Sequence, residues 1–97
     1  MSMPGFNWSL SHIAHATGGE LRGPDQLVNG VSTDTRSIRE GEVFVALIGE
    51  NFDAHEFVAQ AIQRGASAAV VSHPVAADCA QVIVKDTRLA LGMLANA

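Results

Sequence analysis

The chain has 97 residues, of which 47% are hydrophobic, and acidic residues outnumber Lys and Arg by 10 to 6. A chain of this length forms one domain with a modest core, which leaves little room for a large catalytic cleft. The formal charge of −4 and the single lysine, Lys85, argue against binding to nucleic acid or to a membrane surface, because such binding needs clustered basic side chains.

The first third of the chain predicts one helix followed by short strands. Apolar residues recur at helical spacing over residues 10–17, and Gly18-Gly19 then supplies a stop signal. Asn7 and Ser9 are the potential N-caps of this helix. Between residues 20 and 31, glycine, proline and asparagine divide the chain into short segments, which favours a small hairpin or two short strands.

A β-α-β unit is predicted for residues 43–72. Residues 43–48 are six apolar residues without alternation, which is typical of a parallel strand that is buried on both faces. Asp53, with Glu56 three residues later, predicts the start of a helix. Residues 68–71 then predict a second buried strand. The helix between them carries an apolar stripe and ends at a glycine; these residues are Phe57, Val58, Ala61, Ile62 and Gly65.

A third strand is predicted at residues 82–84, and Asp86 can cap a final helix that carries Leu89, Met93 and Leu94. No signal ends this helix before residue 97, so we expect the chain to continue in a longer protein. The elements together predict a small three-layer α/β domain over residues 1–97. Its sheet should be mainly parallel or mixed and should contain the β-α-β unit.

No complete catalytic motif or metal site is recognisable. The sequence lacks a GxGxxG motif, a Gly-x-Ser-x-Gly elbow and a Gly-Lys-Ser/Thr phosphate-binding loop. His12 and His15 could share a helix face but lack further metal ligands, and His55 favours a packing or surface role over acid–base chemistry. Cys79 lies beside Asp78, which disfavours the thiolate. We therefore predict no catalytic residue, metal or cofactor in this chain.

The location is predicted to be cytoplasmic. Cys79 is the only cysteine, so no internal disulfide can form, and a reducing compartment is favoured. No signal peptide and no run of about 18 apolar residues is present, so we expect no membrane insertion.

Two polar loops, each following a predicted strand, are the candidate ligand-binding segments. The loop after residue 48 offers close approach at Gly49, hydrogen-bonding groups at Glu50 and Asn51, and an aromatic face at Phe52. Such a loop at the carboxyl end of a parallel strand would suit a flat heterocycle, for example a pyrimidine. The alternative, of similar weight, is that these residues only shape the turn and the helix start.

The second candidate is the segment from Thr33 to Arg36, whose hydroxyl and guanidinium groups could contact a ribose or a phosphate. The alternative is that Asp34 and Arg36 only pair with each other or with nearby backbone. Asp53 at the helix start would repel a diphosphate, so any phosphate should lie nearer Thr35 and Arg36.

Four segments together resemble the N-terminal domain of the Mur ligase family in order and spacing. They are "STDTR" at 32–36, "GEVFVALIGENFDAHEF" at 41–57, "GASAAVV" at 65–71 and "VIVKDTRLALGMLA" at 82–95. The resemblance runs from about residue 10 to residue 97. It implies a three-domain, ATP-dependent ligase of cytoplasmic peptidoglycan synthesis, in which this domain binds UDP-N-acetylmuramoyl-tripeptide. The central domain of the family binds ATP and Mg²⁺, and the C-terminal domain helps to bind the incoming amino acid or dipeptide, which is D-alanyl-D-alanine in some members.

The motif "FDAH" is most similar to the family members that add D-alanyl-D-alanine. The alternatives are the members that add the third peptide residue, or a free-standing, non-catalytic α/β binding module. By the resemblance, Thr33 and Thr35 flank the uridine, and the loop around Asn51 surrounds the uracil. The complete set that the resemblance implies for the UDP moiety is Thr33, Thr35, Arg36, Gly49, Glu50, Asn51 and Phe52, and this domain alone would be inactive.

Overall fold

A computed structural model describes residues 8–95 as a five-stranded sheet between two layers of helices. The strands are β1 (Trp8–Ser9), β2 (Glu20–Arg22), β3 (Leu27–Val28), β4 (Val31–Ser32), β5 (Val43–Val45), β6 (Ala68–Val71) and β7 (Ala80–Ile83). The α-helices are α1 (Leu10–Thr17), α2 (Val58–Gln63) and α3 (Thr87–Ala95), and a 3₁₀ helix at Ala54–Phe57 precedes α2.

The main sheet has the order β2-β7-β6-β5-β4. Strands β4 to β7 pair in parallel with their neighbours, and β2 adds an antiparallel edge to β7. Strands β1 and β3 form a separate antiparallel pair. The predicted three-layer α/β fold with a mainly parallel sheet is confirmed, and β5, α2 and β6 form the predicted β-α-β unit.

The sheet is buried on both faces because successive strand residues point to opposite sides. Val43 and Val45 join the core beneath α1 and α3, whereas Phe44 joins the core beneath the 3₁₀ helix and α2. Strand β6 divides its four buried residues in the same way. Both faces therefore need apolar residues, which explains why these strands show no alternation of polar and apolar residues.

Helix α1 begins and ends as predicted. The Ser9 hydroxyl oxygen accepts the backbone N–H of His12 at 3.1 Å. Gly18 adopts a left-handed φ of 69° at the C-cap, a conformation that glycine reaches without a steric penalty. Asn7, the other potential cap, lies outside the described residues. The hairpin alternative for residues 20–31 is wrong, because β2 pairs with the distant strand β7 and β3 pairs with β1.

The predicted strand at 43–48 is shorter in the structure, where β5 ends at Val45 and the Ala46 N–H still donates to the Val70 carbonyl. The helix predicted to start at Asp53 begins as the tighter 3₁₀ helix, in which the Asp53 carboxylate accepts the N–H of His55 rather than that of Glu56. Gly65 has the positive φ predicted for the end of the helix. Of the predicted apolar stripe, Val58 and Ala61 are buried, whereas Phe57 is 41% exposed.

The last strand and helix are close to their predicted positions. Strand β7 covers residues 80–83 rather than 82–84, although the Val84 N–H still donates to the Val71 carbonyl. The Asp86 carboxylate caps α3 by accepting the N–H groups of Arg88 and Leu89. Of the three apolar residues predicted on this helix only Leu94 is buried, because Leu89 and Met93 lie on its open side. Within residues 8–95, no helix has the length and apolar character needed to cross a membrane.

Candidate functional site

The two predicted ligand-binding loops leave the sheet side by side. Strands β4 and β5 are parallel neighbours, with Ser32 opposite Phe44. Because the carboxyl ends of parallel strands meet at one edge of a sheet, the segments after Ser32 and after Val45 emerge at the same edge. The structure therefore brings together the two segments that the sequence singled out separately.

A groove of about 380 Å³ lies between these segments. Its lining residues are Thr33, Asp34, Thr35, Arg36, Phe44, Phe52, Ala54, Phe57 and Gln60. Four of the predicted residues, Thr33, Thr35, Arg36 and Phe52, therefore share one surface. Gly49, Glu50 and Asn51 belong to the adjoining loop rather than to the groove lining, and the role of all seven as ligand contacts stays a prediction.

The loop from Gly49 to Phe52 is a tight turn closed on itself. The Gly49 N–H donates to the Phe52 carbonyl at 2.9 Å, and the Ala54 N–H donates to the Leu47 carbonyl at 2.8 Å. A Cβ atom at position 49 would clash with the Phe52 ring, so the absence of a side chain at Gly49 lets the ring lie against the backbone. Phe52 remains 54% exposed and so has apolar surface free for a ligand.

Arg36 and Asp34 form an ion pair at the other wall of the groove. The Arg36 Nη2 and Nε atoms donate to the two Asp34 carboxylate oxygens at 3.1 and 3.2 Å, and the Arg36 backbone N–H donates at 2.8 Å. These hydrogen bonds hold the pKa of Asp34 below its usual value. The pairing alternative considered from the sequence is thus present, yet the Arg36 side chain is 85% exposed and keeps donors available to a ligand.

A hydrogen-bonded cluster around His55 was missed by the sequence reasoning. The His55 side chain is only 4% exposed; its Nδ1 lies 2.6 Å from an Asp53 carboxylate oxygen. Its Nε2 accepts the backbone N–H of Ser72 at 2.9 Å. The ring of His73 stacks on that of His55 with centroids 4.3 Å apart. The only sequence signal was Asp53 two residues before His55, because the contact to Ser72 depends on how β5 and β6 pair.

Among residues 8–95, the same cluster is the one group of three His, Cys, Asp or Glu side chains whose ligand atoms are close enough to share a metal ion. Suitable atoms of Asp53, His55 and His73 all lie within 4.8 Å of one another. However, the two imidazole rings are stacked at 16°, so their in-plane lone pairs lie in two nearly parallel planes and do not converge on one point. Both nitrogens of His55 are also engaged in hydrogen bonds. A shared ion would require His73 to leave its stacked position, and the expectation of no metal stays a prediction.

Cys79 has the environment expected of an unreactive thiol. Partial burial, and then the negative charge of Asp78, raise the pKa of the Cys79 thiol above its usual value. Both effects disfavour the nucleophilic thiolate. The prediction that Asp78 disfavours the Cys79 thiolate is confirmed.

Comparisons with known proteins point to one family. Residues 27–97 match the sequence model of the Mur ligase family, catalytic domain. The chain is 52% identical over 87 residues to the UDP-N-acetylmuramoyl-tripeptide--D-alanyl-D-alanine ligase of Escherichia coli. This alignment covers 90% of the present chain and 19% of the Escherichia coli protein. The chain is also 41% identical over 69 residues to the UDP-N-acetylmuramoyl-L-alanyl-D-glutamate--2,6-diaminopimelate ligase of Aquifex aeolicus. That alignment covers 71% of the present chain and 14% of the Aquifex aeolicus protein.

A solved structure has a closely similar fold. The crystal structure of MurF from Acinetobacter baumannii matches with a TM-score of 0.84 and 41% identity, over 95% of this chain and 21% of that one. The chain therefore spans about a fifth of the length of the relatives that it matches.

Proposed function

The chain belongs to the Mur ligase family, and on that premise we propose that it is the N-terminal, substrate-binding domain of a ligase. This ligase would join D-alanyl-D-alanine to UDP-N-acetylmuramoyl-tripeptide in cytoplasmic peptidoglycan precursor synthesis. The observation that carries the proposal is the 52% identity, over 90% of the chain, to a ligase of that name. The diaminopimelate-adding alternative has weaker support, with 41% identity over 71% of the chain.

In this proposal the UDP moiety occupies the groove and the loop beside it. The uracil ring lies against the exposed face of Phe52, with the loop residues Gly49, Glu50 and Asn51 around its polar edge. A groove of about 380 Å³ falls within the size range of small-molecule sites, and an aromatic ring beside backbone polar groups suits a flat heterocycle.

Ribose and phosphate groups would then lie toward Thr33, Thr35 and Arg36. The hydroxyl groups and the exposed guanidinium can donate hydrogen bonds to their oxygen atoms. The side of the groove at Ala54 is less suitable for phosphate, because Asp53 precedes this residue in the chain and hydrogen bonds from His55 lower the pKa of Asp53, which keeps its carboxylate ionised. Charge repulsion therefore favours the Thr35 and Arg36 end for the diphosphate.

We place ATP and Mg²⁺ binding in other parts of the full-length ligase. The family is ATP-dependent, yet the only lysine of this chain, Lys85, does not follow a glycine-rich loop. The proposal predicts that the coding sequence continues past codon 97 into a Gly-Lys-Ser/Thr phosphate-binding loop. A stop codon directly after codon 97 would instead favour a free-standing binding module.

The ligand preference of the chain tests the proposed site. Isothermal titration calorimetry with UDP, CDP and ADP should show the tightest binding for UDP. In the proposed site, the loop contacts both the polar edge of the uracil and the face of the pyrimidine ring. Equal affinities for the three nucleotides, or saturable binding of ADP alone, would contradict the proposed function.

A further inference from the structure

The loop from Gly49 to Asp53 needs an anchor beyond its own hydrogen bonds. Its internal bonds, including the antiparallel bridge between Ile48 and Asp53, close the turn on itself. The last regular contact of this segment with the neighbouring strand is the Ala46 N–H donating to the Val70 carbonyl. Past this point, side-chain hydrogen bonds join this segment to later parts of the chain.

Two side-chain contacts fasten the loop to later segments of the chain. At its first end, the Arg88 Nη2 donates to the Ile48 carbonyl at 3.3 Å, and this arginine is exposed. At its second end, Asp53 is held by His55, which in turn contacts Ser72 at the carboxyl end of β6. The His55 contacts are shorter, and the His55 side chain is only 4% exposed, so they constrain the loop more strongly.

The proton positions on the His55 ring follow from its partners. The backbone N–H of Ser72 can only donate, so Nε2 must be the acceptor and carries no proton. In the neutral ring Nδ1 then carries the proton and donates it to the Asp53 carboxylate at 2.6 Å. Asp53 also accepts the backbone N–H of His55 at 2.9 Å. His55 thus bridges the end of β6 and the base of the loop in one fixed tautomer.

We propose that His55 is a positioning residue for nucleotide binding, which sets the 49–53 loop relative to the sheet through its bonds to Ser72 and Asp53. The inference rests on the proposed function, since it assigns a role toward a loop that would bind uridine. His55 does not belong to the groove lining, and both of its nitrogens are occupied, so it acts through Asp53 and not on the ligand.

Two substitutions each remove one of the two hydrogen bonds that the His55 ring makes, one to Ser72 and one to Asp53. His55→Asn can keep an amide donor near the position of Nδ1 but is too short to accept the Ser72 N–H. His55→Gln can place an oxygen near the position of Nε2 but gives up the donor to Asp53. Because positioning needs both bonds, each variant should bind UDP roughly three- to tenfold more weakly than the wild type, as expected for one lost hydrogen bond.

His73→Ala is the matched control, because it removes the stacked ring and leaves the bonds of His55 intact. It should bind UDP within about twofold of the wild type, since stacking contributes no hydrogen bond to the loop. A loss in His73→Ala equal to that in the His55 variants would overturn the proposal in favour of ring stacking. Thermal unfolding of each variant establishes that the fold is retained.

A measurement on the unaltered chain keeps the proposal testable even if a variant does not fold. Nitrogen-15 spectra of the imidazole rings should show His55 as the Nδ1–H tautomer; an Nε2–H tautomer would overturn the bridge. In the variants, amide shifts over residues 49–53 should change without any nucleotide. If they change while the wild type does not bind UDP, His55 positions the loop, but the proposed function fails and the role in nucleotide binding fails with it. If the wild type binds UDP and the variants bind equally with unchanged loop shifts, the positioning role is refuted.

Discussion

Replacing Phe52 by alanine should weaken UDP binding without disturbing the fold. The Phe52 ring lies against Gly49, and Phe52 as a residue stays 54% exposed at the groove. If the uracil stacks on this ring, the variant loses the aromatic surface and keeps the backbone groups of the loop. The structure therefore predicts separate effects on affinity and on stability.

The two magnitudes follow from the exposure of the ring. Stacking of a base on an aromatic side chain contributes about 1–3 kcal/mol, which corresponds to a loss of about fivefold to 150-fold in UDP affinity. Removal of a surface side chain changes the free energy of unfolding by about 0.5 kcal/mol or less. The expected loss of affinity is therefore larger than the expected loss of stability.

Calorimetric titration with UDP and thermal unfolding measure these two effects. Leu27→Ala is the matched control, because Leu27 is a similarly exposed apolar residue, 65% accessible, on β3 and outside the groove. It should bind UDP as the wild type does. Wild-type affinity in the folded Phe52→Ala variant would refute the stacking of uracil on this ring.

Three further predictions test the fold and its charges. Asp86→Ala should lower the free energy of unfolding by about 1 kcal/mol, because the last helix loses both capping hydrogen bonds; an unchanged urea midpoint would contradict this. Hydrogen bonds from Ser11 lower the pKa of Asp25 in the folded state. The stability advantage of the wild type over Asp25→Asn should therefore be full at neutral pH and disappear as the pH falls through that lowered pKa; an advantage that grows in acid would be inconsistent. Cys79 should react with iodoacetamide more slowly than glutathione does at neutral pH, since burial and a neighbouring carboxylate disfavour its thiolate; an equal or faster rate would be evidence against this environment.

The elements that could be predicted from the sequence are those with local signals. Helix α1 has an apolar periodicity, a serine cap and a terminal glycine, and all of them are local. The uninterrupted apolar runs in β5 and β6 reflect burial on two faces, which a sequence shows directly. These signals were sufficient to predict the β-α-β unit and the fold class.

The features that the sequence did not reveal depend on long-range pairing. Strand β2 (Glu20–Arg22) pairs with β7, which lies about 60 residues later in the chain. No local pattern could therefore distinguish β2 from a hairpin strand. Likewise, Leu89 and Leu94 look alike in sequence, but only Leu94 faces the core. Packing determines which side of a helix faces the sheet. Local periodicity predicts that side only to within about one residue.

The candidate site likewise has features that the sequence predicted and features that it did not. The adjacency of the two loops followed from the rule that parallel strands end at one edge, and the structure has this arrangement. The sequence did not predict that Phe57 and Gln60 line the groove, because their positions depend on the 3₁₀ helix that precedes α2. The contact between His55 and Ser72 was equally inaccessible, since the residues are 17 positions apart and meet only through the pairing of β5 and β6.

The central claim is that the corner after β4 and the loop after β5 together bind UDP. Titration of UDP into the nitrogen-15-labelled chain, followed through the backbone amide shifts, tests it most directly. The account predicts saturable shifts that concentrate in residues 33–36 and 49–53. Saturable shifts confined to other regions, such as α1 and β3, would contradict it.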